Sequence, residues 1–420
     1  MNTALLVILI CVCLFMMLHG LARRGGVYQL PFLMGSVFLG FIVPQVPGLI
    51  ADPYLPQEAL SAALVTGILC ALGTQAGWSV NGHGFRFLHR DVDDRRIEIM
   101  AAAMTAIGGF FYYKLGALPD DMLANRQWSG APVAMMFFAK LLNFGFVLAV
   151  VSALRTGRSP SYAIAFVGAM FYLEQIFVAA RRGDAAEFFL VILLSVWFMR
   201  RKVLPRALMV AGVVVGTVLL WSTHDYRGAS LDPDGMSVTE FEQIDFAGNI
   251  GSVLETGGEE MRNATFQIMV AETEGLYSFS AGTWNWIVFV YVPAQILGKE
   301  FKESLMLETP DYYAVAGYRA TTGSTETGIA DAFTSFWYFG WIKFFIIGFV
   351  MRGLYRSAMA GSAPAQVVFM LSLPPALHAV THHTQILPAA WVHMLMLLLP
   401  AFLLASRRRP AVRSRAEDGA

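Results

Sequence analysis

Arg181 and Arg182 stand side by side in FVAARRGDAAEFFLVILL (177–194), with Asp184 and Glu187 just behind them and apolar runs on either side. A guanidinium is a planar fork of donors that can grip phosphate oxygens two at a time. Such a pair can therefore bind a phosphate or stabilise one as it departs. Two readings fit: an anion site, or interfacial residues reaching for lipid headgroups with Asp184 and Glu187 as counter-charges. A second group is HAVTHHTQILPAAWVH (378–393), which carries His378, His382, His383 and His393, four of the chain's eight histidines. Imidazole titrates near neutrality and serves well as a general base. His378 and His382, at i and i+4, also have the spacing of a helical metal pair, but no HExxH or Cys-rich pattern accompanies them. A catalytic base, a phosphate-contacting imidazole and an interfacial polar patch all remain open.

A third group lies in GYRATTGSTETGIADAF (317–333), with Arg319 as its cation and Glu326 and Asp331 as its carboxylates. Gly317, Gly323 and Gly328 favour tight turns, and Thr321, Thr322, Ser324 and Thr325 offer hydroxyls. A small-residue loop entering a helix can bind an anion or a sugar hydroxyl through free N–H groups. It is not a P-loop, because no Gly-Lys-Ser/Thr follows. Glu174, Lys140 and Lys343 are charges inside apolar runs, where they are costly and candidates for function. Glu174 lies two turns before Arg181, placed to orient it, and is also an option as partner for Lys140. A lysine such as Lys343, with no acidic partner in its own helix, needs one elsewhere. Cys11, Cys13 and Cys70 sit in apolar runs, the first two on different helix faces, so no metal pair is expected.

These groups must be held by membrane-spanning helices. Of 420 residues, 56% are hydrophobic and 14% charged, with a mean hydropathy of +0.55. About twenty apolar residues suffice for one spanning helix. Apolar runs fall at 4–20, 27–47, 58–79, 97–116, 131–154, 160–180, 185–199, 207–222, 329–351, 363–381 and 385–405. The fold expected is all-α and polytopic, with about eleven transmembrane helices. The runs are continuous, whereas barrel strands alternate. The first run has no basic residue before it and Arg23-Arg24 after it, so it reads as a span, not a signal peptide. The basic connectors LARRGG, HGFRFLHRDVDDRR, LRTGRSP, MRRKVLPR, MRGLYRSA and SRRRPAVRSR follow every odd-numbered span. The others are acidic or neutral. The positive-inside rule then puts the N-terminus outside and the C-terminus inside. ARRGDAAE falls outside despite its two arginines.

The chain divides into an N-terminal transmembrane bundle (1–222), a large outer loop with short helices (223–328), and C-terminal transmembrane helices with a basic tail (329–420). Carboxylates crowd the loop: Asp225, Asp232, Asp234, Glu240, Glu242, Asp245, Glu255, Glu259, Glu260, Glu272 and Glu274. TWNWIVFVYVPAQILG (283–298) is apolar but short and carries Pro293, so an interfacial or re-entrant helix fits better than a span. Trp284 and Trp286 would anchor it or stack on sugar rings. Asn263-Ala264-Thr265 matches a glycosylation sequon by chance.

The single large outer loop, the outer RRGD entering a span, and TTGSTETGIADAFTSFWYFGWIKFFIIGFVMRG together resemble bacterial O-antigen and exopolysaccharide repeat-unit polymerases, the Wzy-like family, mainly over 180–356. The arginine-ten-residues-glycine spacing of some members is absent at the outer arginines. The resemblance implies a GT-C-like helical fold in the bacterial inner membrane and inverting transfer of a growing glycan. The glycan would pass from undecaprenyl pyrophosphate to the next lipid-linked repeat on the periplasmic face. It implies no cofactor and no nucleic acid. The partners implied are the lipid-linked oligosaccharide, membrane lipids, a chain-length regulator and a flippase. Arg181 or Arg182, with Arg319, would hold the pyrophosphate. His382 or His383, or alternatively Glu326 or Asp331, would take the acceptor proton, with Glu174 and Lys343 in support. Three other functions fit the same parts. One is an O-antigen ligase. Another is a glycosyltransferase using a lipid monophosphate sugar, with Asp52, Glu58, Asp120 or Asp121 as base. The third, from a different class, is a lipid-linked oligosaccharide flippase, which should show two similar halves that this sequence lacks.

Overall fold

A computed structural model describes residues 1–80, 82–119, 131–178, 181–222, 244–321 and 324–406. Among them every named element is helical, and the one extended pairing is a lone bridge between Val92 and Ser406. The first eight helices are α1 (Asn2–Ala22), α2 (Leu30–Ala51), α3 (Gln57–Val80), α4 (Asp94–Gly116), α5 (Ala131–Thr156), α6 (Ser159–Phe177), α7 (Arg182–Arg200) and α8 (Arg206–Trp221). The 223–328 segment contributes α9 (Phe246–Thr256), α10 (Glu259–Glu274), α11 (Ala281–Tyr291) and shorter turns up to Ala316. The last helices are α12 (Gly328–Phe336), α13 (Trp341–Met359), α14 (Ala363–Thr381) and α15 (Ile386–Ala405).

Among the described residues, seven segments are long and apolar enough to cross a membrane: α1, α2, α3, α5, α12 with α13, α14 and α15. This is a polytopic helical membrane protein. α8 is apolar but shorter, at 16 residues, and α4, α6 and α7 occupy the remaining apolar runs with more polar sequences. At 1.5 Å per residue, the 11 residues of α11 cover about 16 Å, roughly half the hydrocarbon core. α11 therefore does not span by itself. It packs against α15, where the Tyr291 hydroxyl donates to the Ala389 carbonyl at 2.5 Å.

Lipid is as apolar as leucine, so helices in a membrane associate through close packing of small residues. α3 and α13 meet at Gly73, Gly77 and Gly348. A Cβ on Gly77 would strike the Phe345 carbonyl, and one on Gly348 the Thr74 carbonyl. α4 and α5 meet the same way at Gly108 and Gly145. The segment from Gly328 to Met359 is broken between its halves, where Trp337 takes φ +52. A side chain rarely adopts that left-handed conformation.

The connectors sort to two ends. At one end Arg155 pairs with Asp94 at 3.1 Å, and Arg96 donates to the Leu404 carbonyl at 2.9 Å. There Ser357 accepts from the Phe85 N–H at 2.7 Å, and Arg201 donates to the Met359 carbonyl at 2.7 Å. These are the basic connectors. At the other end the first acidic connector joins the 223–328 segment: Arg262 pairs with Asp52 at 2.5 Å, and Gln45 meets the start of α10.

α10 departs from the sequence expectation. It reads as part of a solvated acidic loop, yet Met261, Ala264, Thr265, Ile268 and Ala271 are buried against the bundle. Gln45, fully buried, accepts from the Met261 N–H at 2.9 Å while its amide donates to the Phe41 carbonyl at 2.9 Å. This satisfies one of the N–H groups that a helix start leaves unpaired. Asn263 is 1% exposed, bonded through its amide to Ser324 at 2.9 Å and through its carbonyl to the Tyr318 hydroxyl at 2.9 Å. Inside such a network it is a structural residue, and the sequon is incidental.

Candidate functional site

The 317–333 stretch, the connector between α14 and α15, and the start of α7 converge at the acidic end. Thr325 donates to the Thr381 carbonyl at 2.9 Å, which lays the loop along the end of α14. One residue on, Glu326 lies 3.6 Å from Nε2 of His383, both side chains about one-third exposed (35% and 34%). Glu326 also neighbours the Tyr313 hydroxyl, which accepts from the Gln267 amide at 2.9 Å. Burial, and next the Glu326 charge, push the Tyr313 phenol well above its ordinary range, so it stays protonated and donates.

Asp331 is enclosed. Its Oδ1 is 3.0 Å from the Lys343 ammonium, and its Oδ2 accepts from the Thr384 N–H at 2.9 Å and from the Thr384 hydroxyl. Lys343 also donates to Ser335 at 2.7 Å. The partner therefore lies inside the same apolar run, not outside it: Asp331 sits across the break, in the first half of the Gly328–Met359 segment. With both oxygens engaged and 11% of its side chain exposed, Asp331 works as a clamp.

The arginine turn joins this group through His378. A Cβ on Gly183 would lie 3.4 Å from Cε1 of the His378 ring, so the RRGD turn rests on the end of α14. The His378 and His382 rings are 5.5 Å apart, and the His382 Nδ1 is 2.7 Å from the Thr381 hydroxyl. Among the described residues no third His, Cys, Asp or Glu gathers with them as a metal site would need. Arg181 is largely exposed, its guanidinium 4.0 Å from Asp184. Arg182 opens α7, but its side chain lies outside the described residues.

Other expectations are redirected. Glu174 and Arg181 both face Tyr112, and the ion pair Arg181 makes is with Asp184 of its own turn. Lys140 sits at a joint within α5, and the charges facing it are Glu187 and Asp184, not Glu174. Glu187 in turn accepts from Tyr172 at 2.6 Å and Asn143 at 3.1 Å. His393 is buried against Phe137, ring centroids 4.3 Å apart, away from the other histidines' loop. The N-terminus of α12 is not an open anion site. Thr327 caps it at 3.3 Å, Gly328 is pressed against the Ala379 carbonyl, and the first turn is buried. Arg319 is exposed, next to the stacked pair Phe266–Tyr318, whose ring centroids are 4.2 Å apart. Asp52 is occupied by Arg262, whose hydrogen bond holds the carboxyl below its ordinary range, while Glu58 is exposed. Asp120, Asp121, Thr322, Gly323 and the loop carboxylates Asp225, Asp232, Asp234, Glu240 and Glu242 lie outside the described residues.

Sequence reasoning missed Thr384, Tyr313, Gln267 and Asn263, each of which holds a neighbour of the site. Only α10 carried a signal, an apolar stripe at Met261, Ala264, Ile268 and Ala271 with helical spacing. Comparison of the chain with protein-family models, with curated proteins and with solved structures finds no match.

Proposed function

We propose that this chain polymerises lipid-linked oligosaccharide repeat units on the outer face of the bacterial inner membrane. It would do so as a GT-C-like bundle of eleven spans, N-terminus outside and C-terminus inside. The acceptor sugar hydroxyl gives its proton to a base and attacks the anomeric carbon of the growing glycan. The bond to undecaprenyl pyrophosphate breaks with inversion, and the pyrophosphate leaves with the bonding electrons.

His383 is the base in this reading, with Glu326 beside it to accept from the imidazole and stabilise the imidazolium that forms. Arg181, with Arg182 and Arg319, holds the leaving pyrophosphate and neutralises the charge that develops on it. The observation that carries the reading is the contact of His378 with Gly183, which joins the arginine turn to the connector bearing His382 and His383. The segregation of basic connectors to the opposite end supports the orientation.

The test is a gel profile of surface glycans from cells lacking the protein and re-expressing wild type, Arg181→Ala or His383→Gln. Wild type should restore a ladder, while the variants, inserted at normal level, leave single repeats. Full-length polymer in cells lacking the protein would sink the reading. Polymer stranded on its carrier would point to a ligase, and single units retained inside to a transporter.

A further inference from the structure

At the basic end, Arg352 has no acidic partner among the described residues, and its Nε is buried with no hydrogen-bond acceptor. The charges that face it are two more arginines, Arg356 and Arg23. Neighbouring arginines at this end are neutralised differently: Arg155 by Asp94 at 3.1 Å and Arg158 by Glu98 at 3.4 Å. The arginine group is therefore a local excess of positive charge, with Arg352 half-buried and Arg23 and Arg356 exposed around it.

Packing fixes the group in place. The Arg23-Arg24-Gly25 turn comes so close to Trp197 that a Cβ on Gly25 would collide with its ring. The Trp197 indole donates to the Tyr355 hydroxyl at 3.1 Å, between Arg352 and Arg356 in sequence. Arg352 lies over the Trp78 ring at 5.1 Å, and Arg356 donates to the Gly82 carbonyl. A guanidinium stacked on an aromatic ring, as Arg352 is on Trp78, is held in orientation with its fork of donors pre-ordered. Basic pockets between spanning helices on the positive side are suited to anionic headgroups.

We infer that Arg23, Arg352 and Arg356 form a binding site for an anionic phosphate group, supplied by the headgroup of an acidic phospholipid in the leaflet at the basic end. The phosphate oxygens accept from the guanidinium edges and supply the negative charge that the protein withholds there. The site lies at the opposite end of the bundle from the residues proposed for transfer and stands independently of that reading.

The test is native mass spectrometry of the detergent-purified full chain titrated with phosphatidylglycerol, with phosphatidylcholine, or with inorganic phosphate. Phosphatidylglycerol should bind wild type at least tenfold more tightly than phosphatidylcholine. Arg352→Gln and Arg23→Gln should each remove most of that preference, whereas Arg95→Gln, an exposed arginine at the same end, should keep it. Arg23 lies on an exposed turn, so its variant carries the test if Arg352→Gln fails to fold. Inorganic phosphate binding with the same variant pattern, without lipid preference, would support the phosphate site but assign it a soluble ligand. Equal binding of both probes to wild type, Arg352→Gln and Arg23→Gln would overturn the proposal.

Discussion

Asp331 holds Thr384 from 53 residues away, accepting both its backbone N–H at 2.9 Å and its hydroxyl. Thr384 directly follows His383, so this grip sets where the imidazole stands relative to Glu326. The other carboxylate oxygen is tied to Lys343, across the break in the Gly328–Met359 segment. One enclosed carboxylate thus joins the two halves of a broken helix to the histidine connector.

Removing one partner of an enclosed ion pair strands the other charge, at a cost of about 3–5 kcal/mol. Lys343→Met and Asp331→Asn should each lower the thermal midpoint in detergent and the yield of folded protein. The double variant should recover part of the loss, because neither charge is then left alone. Additive losses in the double variant would show that the pair is not coupled.

Asp52 links the first acidic connector to Arg262 on α10. Its carboxyl is held below the ordinary 3.8, chiefly by the hydrogen bond from Arg262. A lowered folded-state value means the stabilisation is present above 3.8 and disappears as pH falls through the folded value. Protease cleavage near Gly257 should therefore accelerate below about pH 4 in wild type. In Asp52→Asn it should be fast at every pH.

Glu326→Gln and His383→Gln should each slow polymer formation by about 10²–10⁴, the span usual for loss of general base catalysis. If the two act as one unit, the double variant should be little worse than either alone. A membrane assay with lipid-linked repeats, read as ladder formation over time, measures this. Unchanged rates in both single variants would remove the pair from the reaction.

Gly77 lets α3 and α13 approach until backbone meets backbone. Gly77→Val would force them apart, an overpacking cost of about 1–3 kcal/mol or more. The expected result is a lower thermal midpoint with misassembled protein. Gly82→Val, in open space, is the control and should leave both unchanged.

The sequence by itself determined the class and the periodic layout. Long apolar runs can satisfy their backbones in lipid only as helices, and charge alternation between connectors follows from how such chains insert. The helical segments coincide with the apolar runs except at 329–351, which is broken at Trp337 and runs on to Met359, and the basic connectors do meet at one end. The apolar stripe on α10 was legible in its spacing but hidden by its carboxylates. The pairing of Lys343 with Asp331, of Thr384 with that same carboxylate, and of His378 with the RRGD turn was decided only by tertiary structure. Each depends on which helix ends are neighbours. That is set by glycine contacts between helices far apart in the chain, and a one-dimensional pattern carries no record of them.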